Sequence, residues 1–339
     1  MKPLLIFLLA FSAAKCFAQP VQDSSLNNLA HAPGYVTCKT GQLGAVVKAG
    51  NGKQAMILVA GLGFGAEIFE NFMRANKERY TMYAVTPAGF AGTPAPPMPD
   101  SAAYAACSWT KGIEAGILEL IEKEKLQRPL IVGHFITSTQ VALDLALHHP
   151  EKIGKVIIIG GEPYRYYRPR RDTAWGNEQL YTPGERAKIV EQFWAPLWFK
   201  TVTKRTWDAG MYRPEEYVAD SATGKKLFAQ SASAPLPVMI RYLLEFFAYD
   251  ISSRYSEIKV PVLVLMPSFS EELLNRKLYF SGQAYSGDYL YYYYQRGWDS
   301  ARKAGNPLLQ FQLIPGTRIL MWYDAPEGVQ EAIDDFAGK

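Results

Sequence analysis

Few side chains on this chain are candidates for chemistry. Histidine occurs four times, as His31, His134, His148 and His149. Of these, His134 has hydroxyls close behind it, Thr137, Ser138 and Thr139, while carboxylates able to orient an imidazole stand further along as Glu162 and Glu271. A hydroxyl activated by an imidazole, itself oriented by a carboxylate, is the arrangement of nucleophilic acyl transfer. Ser138 or Thr137 with His134 and Glu162 or Glu271 is therefore one catalytic hypothesis. The competing reading is structural. Serine and threonine at the start of a helix cap it, His148 and His149 close a helical stretch where a polar group suits the dipole, and His31 lies in a polar leader. No spacing of His, Cys and carboxylates suggests a metal site, and Gly61-Leu62-Gly63-Phe64-Gly65 falls short of a phosphate-binding pattern, so no cofactor is expected.

The elements that must position these residues follow from the hydrophobic pattern. Strands are expected at Tyr35 to Cys38, Leu43 to Lys48, Ala55 to Ala60, Thr81 to Thr86, Leu130 to His134, Lys155 to Gly160, Val260 to Met266 and Phe311 to Ile314. Runs such as Val156-Ile157-Ile158-Ile159 are continuously apolar, as strands covered on both faces must be. Trp109 to Lys125 places Ile113, Ile117, Leu120 and Ile121 on one helical face, and Thr139 to His149 does the same with Val141, Ala142, Leu145 and Ala146. A last helix opens with Asp324, Pro326 and Glu327 as cap, first-turn proline and capping-box acid. The alternation predicts an α/β fold, doubly wound, with a mostly parallel eight-stranded sheet. Residues 162–251 interrupt it with aromatic and proline-rich sequence, in which Thr182-Pro183-Gly184-Glu185 is a capping box and Pro237 to Tyr249 a second apolar helix. They are read as a helical lid inserted into a core of residues 19–161 and 252–339.

Four stretches, in this order, resemble the α/β-hydrolase fold over nearly the whole mature chain. Val59-Ala60-Gly61-Leu62-Gly63 is similar to the loop that supplies an oxyanion N–H. Thr86-Pro87-Ala88-Gly89-Phe90-Ala91-Gly92-Thr93 is similar to the turn after the fourth strand. Ile131-Val132-Gly133-His134 with the helix behind it is similar to the nucleophile elbow, and Pro315-Gly316-Thr317-Arg318 with Asp324-Ala325-Pro326-Glu327 to the loop that delivers the catalytic histidine.

The resemblance implies a Ser-His-acid hydrolase, and the chain departs from it where the chemistry sits. In G-x-S-x-G the serine stands on a strained strand-to-helix turn. Here the five residues are Gly133-His134-Phe135-Ile136-Thr137. Phenylalanine offers no nucleophile, and a β-branched Thr137 is expected to loosen the approach of strand and helix. The histidine slot, counted back from Pro326, holds Ile319. A shift of one residue offers Arg318, whose guanidinium cannot act as a base. Glu271 or Glu162 would supply the acid, with no histidine in the slot to orient.

What the resemblance leaves is an apolar pocket. Leu62, Phe135, Ile136 and Ile319 are expected to meet at the former catalytic centre under Trp194, Trp198 and Trp207 of the lid, with Phe135 plugging the centre on a retained strained backbone. Two further clusters, Tyr164 to Arg171 and Tyr285 to Tyr294, pair tyrosine with arginine or with more tyrosine, as surfaces that bind sugars, anions or proteins do.

Composition narrows the class. With 339 residues, 48% of them hydrophobic and 20% charged, the chain is long and apolar enough for one large core with an insertion. A net charge of +4, part of it from Lys2 and Lys15, gives no reason to expect nucleic acid. Met1-Lys2, an apolar run from Leu4 to Phe11 and small residues up to Ala18 read as a signal peptide over 1–18, too short to span a membrane. Lys15 before Cys16 argues against acylation. The expectation is an exported protein, periplasmic or secreted, without an integral membrane segment after signal removal. It binds a small apolar or amphipathic ligand or a partner; the alternative is an esterase-like enzyme with non-standard residues. Cys38 and Cys107 are either paired or two free thiols.

Overall fold

The computed structural model describes residues 35–38, 42–99, 103–163, 182–211, 213–280, 283–286 and 289–338. The expected signal segment, His31 and the Tyr164 to Arg171 cluster lie outside the described residues, as does the side chain of Cys38. Cys107 is a free, buried thiol, pushed up to about 12 by that burial.

Among the described residues ten strands form: β1 (Tyr35–Cys38), β2 (Ala45–Ala49), β3 (Gln54–Val59), β4 (Tyr80–Thr86), β5 (Leu130–His134), β6 (Lys155–Ile159), β7 (Val262–Pro267), β8 (Lys277–Phe280), β9 (Gln283–Ser286) and β10 (Leu309–Ile314). Eight make one sheet in the order β1-β2-β4-β3-β5-β6-β7-β10. The β1–β2 and β2–β4 pairs are antiparallel and the remaining pairs parallel. The boundaries fall within two residues of the sequence expectation because β3 to β7 are apolar on both faces. Val132, Ile157, Ile158 and Leu265 have no exposure at all. The β8–β9 hairpin is an addition that the sequence reading missed, although Ser281-Gly282 between two four-residue runs is a hairpin signal.

Helices α1 (Glu70–Asn76), α2 (Ser108–Lys123) and α3 (Phe135–His148) connect the first six strands. Between β6 and β7 come α4 (Pro183–Ile189), a π-helical turn at Val190–Trp194, α5 (Ala195–Thr201), α6 (Lys204–Met211), α7 (Pro214–Tyr217), α8 (Ser221–Ala232) and α9 (Leu236–Ala248). The Thr182–Glu185 capping box that opens this stretch is present. After β7 follow α10 (Glu271–Leu274), α11 (Tyr289–Tyr294) and α12 (Asp299–Lys303), and after β10 come α13 (Met321–Asp324) and α14 (Pro326–Gly338). Asp324 does not cap α14 as expected. Its carboxylate accepts the N–H groups of Arg318 and Ala219 instead.

The chain runs from β3 outward to β4 on one side and to β5 on the other. The winding therefore reverses between β3 and β5, the kind of switch point at whose carboxyl ends doubly wound sheets place their sites.

Candidate functional site

The strand-to-helix turn between β5 and α3 lies at that switch point. Phe135 has φ +65°, a conformation that costs a non-glycine residue on the order of 1 to 3 kcal/mol. The ring is half-buried and packs against all three hydrophobic clusters of the molecule, a burial worth about 1.5 kcal/mol or somewhat more. The strained backbone thus carries an apolar side chain. Gly61, at the carboxyl end of β3, approaches the same turn so closely that a Cβ would lie 2.7 Å from that of Phe135. A Cβ on Gly133 would meet the Ser138 carbonyl at 2.6 Å. The expected loosening at Thr137 is therefore absent. Gly133 and Ala142 hold the helix against the strand, and Thr137 is buried.

The hydroxyls and imidazole near the turn do not assemble into a catalytic set. Ser138 Oγ donates to the His134 carbonyl and accepts the His134 N–H at 2.7 Å. Thr139 Oγ1 donates to the Phe135 carbonyl. Both brace the first turn of α3. His134 is fully buried, boxed in by the rings of Phe64, Phe69, Phe135 and Trp322 at centroid distances of 4.9 to 6.3 Å. Neither ring nitrogen has a hydrogen-bond partner among the described residues. Burial alone pushes the imidazole down to about 3, so at neutral pH it is uncharged, and neither Glu162 nor Glu271 orients it. Glu162 is buried just beyond β6, whereas Glu271 starts α10 and is exposed. His148 and His149 lie at the far end of α3, in contact with Asp144 and Glu114.

The loop after β10 carries Ile319, 1% exposed, in one cluster with Phe269, Leu273, Leu290 and Tyr294. Its position is fixed by the helices between β6 and β7. Ile319 N donates to the Glu216 carbonyl at 3.1 Å and Leu320 N to that of Tyr217 at 2.9 Å. Asp324 adds a brace, taking Ala219 N at 2.8 Å and Arg318 N at 2.7 Å. These bonds strap α7 across the loop and place Tyr217 against Phe64 and between two of the clusters that Phe135 joins. Beside Ile319, Arg318 Nη2 donates to Ser270 Oγ at 3.1 Å. Ser270 follows β7 and caps α10.

Leu62 and Ile136 are buried in the largest cluster, against which Phe135, Trp194 and Trp198 pack. Trp194, Trp198 and Trp207 form an edge-to-face ladder at 5.5 and 5.8 Å, continued by Phe247. Ile319 belongs to a different cluster. The expected lining therefore divides into two walls, joined through Phe135. Tyr217 and Ser270, absent from the sequence reading, complete the wall of Ile319. Four-residue helices such as α7 and α10 carry no periodicity that would have singled them out.

No family model matches the sequence, and no curated protein sequence matches it. Solved structures match over most of its length. A hydrolase from Pseudomonas aeruginosa PA01 is similar with a TM-score of 0.60 at 12% identity, covering 91% of this chain and 100% of its own. The enol-lactonase from Burkholderia xenovorans LB400 gives 0.59 at 11%, covering 89% and 100%, and an esterase from Exiguobacterium antarcticum 0.60 at 16%, covering 87% and 95%. At such identities the likeness establishes the fold, the one that the four sequence stretches resemble.

Proposed function

We propose that this chain uses the α/β-hydrolase fold as a binding scaffold. It takes a small apolar or amphipathic ligand between the two walls that meet at Phe135, without Ser-His-acid hydrolysis. The observation that carries the reading is Phe135 at φ +65°, a strained elbow kept for a side chain that cannot attack a carbonyl. Buried Ile319 supports it, because a base is missing as well. The inserted helices act as the lid of this site. The protein does its work outside the cytoplasm, a reading supported by the basic start, short apolar run and small-residue exit over 1–18. Sequencing of the mature N-terminus tests the export reading: Gln19 is expected, and a retained Met1 overturns it.

The second reading is an esterase-like enzyme with non-standard residues, favoured by the names of the solved neighbours, a hydrolase, an esterase and an enol-lactonase. Short activated esters, with a serine-directed covalent probe alongside, separate the two. Inertness is expected. Turnover that disappears on Ser138→Ala or His134→Ala would put the enzyme reading in place of the binding one.

A further inference from the structure

Among the described arginines that are buried or half-buried, Arg186, Arg213, Arg241, Arg254 and Arg296 each pair with a carboxylate. Arg318 does not. It is half-buried, and among the described residues no carboxylate lies within ion-pair distance of its guanidinium and its buried Nε–H meets no acceptor. Its side-chain partner among them is the neutral Ser270 hydroxyl, at 3.1 Å. The nearby carboxylate of Asp324 is already committed, each oxygen to a backbone N–H. The charge of Asp324 is felt by Arg318 through space, but its oxygens are bonded elsewhere, so the guanidinium keeps donors to which a ligand carboxylate would form charge-assisted hydrogen bonds.

The position of this charge gives it meaning. Arg318 directly precedes Ile319, and Ser270 directly follows Phe269, so Arg318 and Ser270 form a polar edge to the wall of Phe269, Leu273 and Ile319, against which Phe135 and Tyr217 pack. We propose that Arg318, steadied by Ser270, is the anchor for a carboxylate on the ligand, so that the site takes amphipathic acids, their apolar part on the wall of Phe135 and Ile319. This rests on the binding reading above and narrows its ligand class.

The test compares matched pairs that differ only in the head group, octanoate against 1-octanol and benzoate against benzyl alcohol, with the full mature chain at low ionic strength. Binding is followed by titration calorimetry and tryptophan fluorescence. Each acid is expected to bind about tenfold to a hundredfold more tightly than its alcohol, the span of a charged hydrogen bond. Arg318→Gln should abolish that preference, and Arg318→Lys should keep part of it. A thermal melt checks that the variants fold. Alcohols that bind as well as acids, or a preference that survives Arg318→Gln, overturn the anchor and leave the binding reading intact. If neither acids nor alcohols bind, both fall.

Discussion

His134 shows what burial does to a single side chain at this site. Its imidazole is lowered to about 3 by desolvation, whereas the unfolded chain titrates near the ordinary value of 6.5. A histidine depressed on folding contributes stability above the unfolded value and loses it as pH falls toward the folded one. With about 1.4 kcal/mol per unit, acidification from pH 6.5 to 3 removes on the order of 4 kcal/mol. Glu114 acts in the opposite sense. Burial first, and the neighbouring Asp144 second, raise it to about 7, so its stabilisation is complete below 4.5 and is lost as pH rises through 7. Denaturant titrations of the wild type and His134→Leu at several pH values isolate the histidine. The difference in stability between the two proteins should change by about one proton's worth per unit below pH 6.5, and a pH-independent difference refutes the assignment. The same scale governs hydrolysis. Phe135→Ser restores a hydroxyl at the elbow but no base, since Ile319 and Arg318 cannot take its proton, and triad members act as a unit. The single variant should show no esterase turnover, and Phe135→Ser with Ile319→His a trace. Efficient turnover by the single variant would mean that a base already faces the turn.

Among the elements, the strap of α7 over the loop after β10 links the insertion to the site. It rests on Ile319 N and Leu320 N bonded to Glu216 and Tyr217, and on Asp324 bridging Ala219 and Arg318. Asp324→Ala removes an acceptor from two backbone donors, at a cost of about 1 to 3 kcal/mol. Hydrogen exchange at Ile319 and Leu320 should quicken while β5 and β6 stay protected. Unchanged exchange at both would show that Tyr217 packing alone holds α7. The strap was invisible in the sequence, whereas the strands it closes over were plain in it. Val156 to Ile159 or Val262 to Leu265 announce themselves because a strand buried on both faces must be apolar throughout. The turn after β5 was legible through a resemblance, Ile131-Val132-Gly133-His134 ahead of a helix, and the structure adds why Gly133 is small there, since a Cβ would meet the Ser138 carbonyl at 2.6 Å. A contact between Leu320 N and the Tyr217 carbonyl uses backbone atoms that every residue carries, and Arg318 with Ser270 are two ordinary polar residues until the fold brings them to 3.1 Å. Asp324 misled for the same cause: a carboxylate two residues before Pro326 looks like a cap, and tertiary donors claimed it.

On the scale of the whole molecule, the question is whether insertion and core are one cooperative body, and Glu245 of α9 gives the means to decide it. Helix α2 begins after Cys107, which sits at φ +51° and offers no side-chain cap. Its first-turn donors are satisfied from the insertion instead. The Glu245 carboxylate accepts Trp109 N at 3.1 Å, Thr110 N at 3.0 Å and Thr110 Oγ1 at 2.9 Å. The same carboxylate pairs with Arg241 at 2.8 Å, both side chains being at most 2% exposed, and Arg241 lies over the Tyr104 ring. A helix start, whose free N–H groups favour negative charge, and a buried cation therefore share one anion across the boundary between insertion and core. Glu245→Ala leaves the cation buried and the donors unmet, a loss of about 3 to 5 kcal/mol for a broken buried pair. Because α2 and α9 both depend on the anion, calorimetry should show a single transition moved to lower temperature, with exchange protection falling in both helices together. Replacing both partners, Arg241→Met with Glu245→Leu, should recover part of the loss by removing the stranded charge. Two separate transitions in Glu245→Ala, with α2 still protected through the first, would mean that the insertion folds independently and that the network only decorates the boundary.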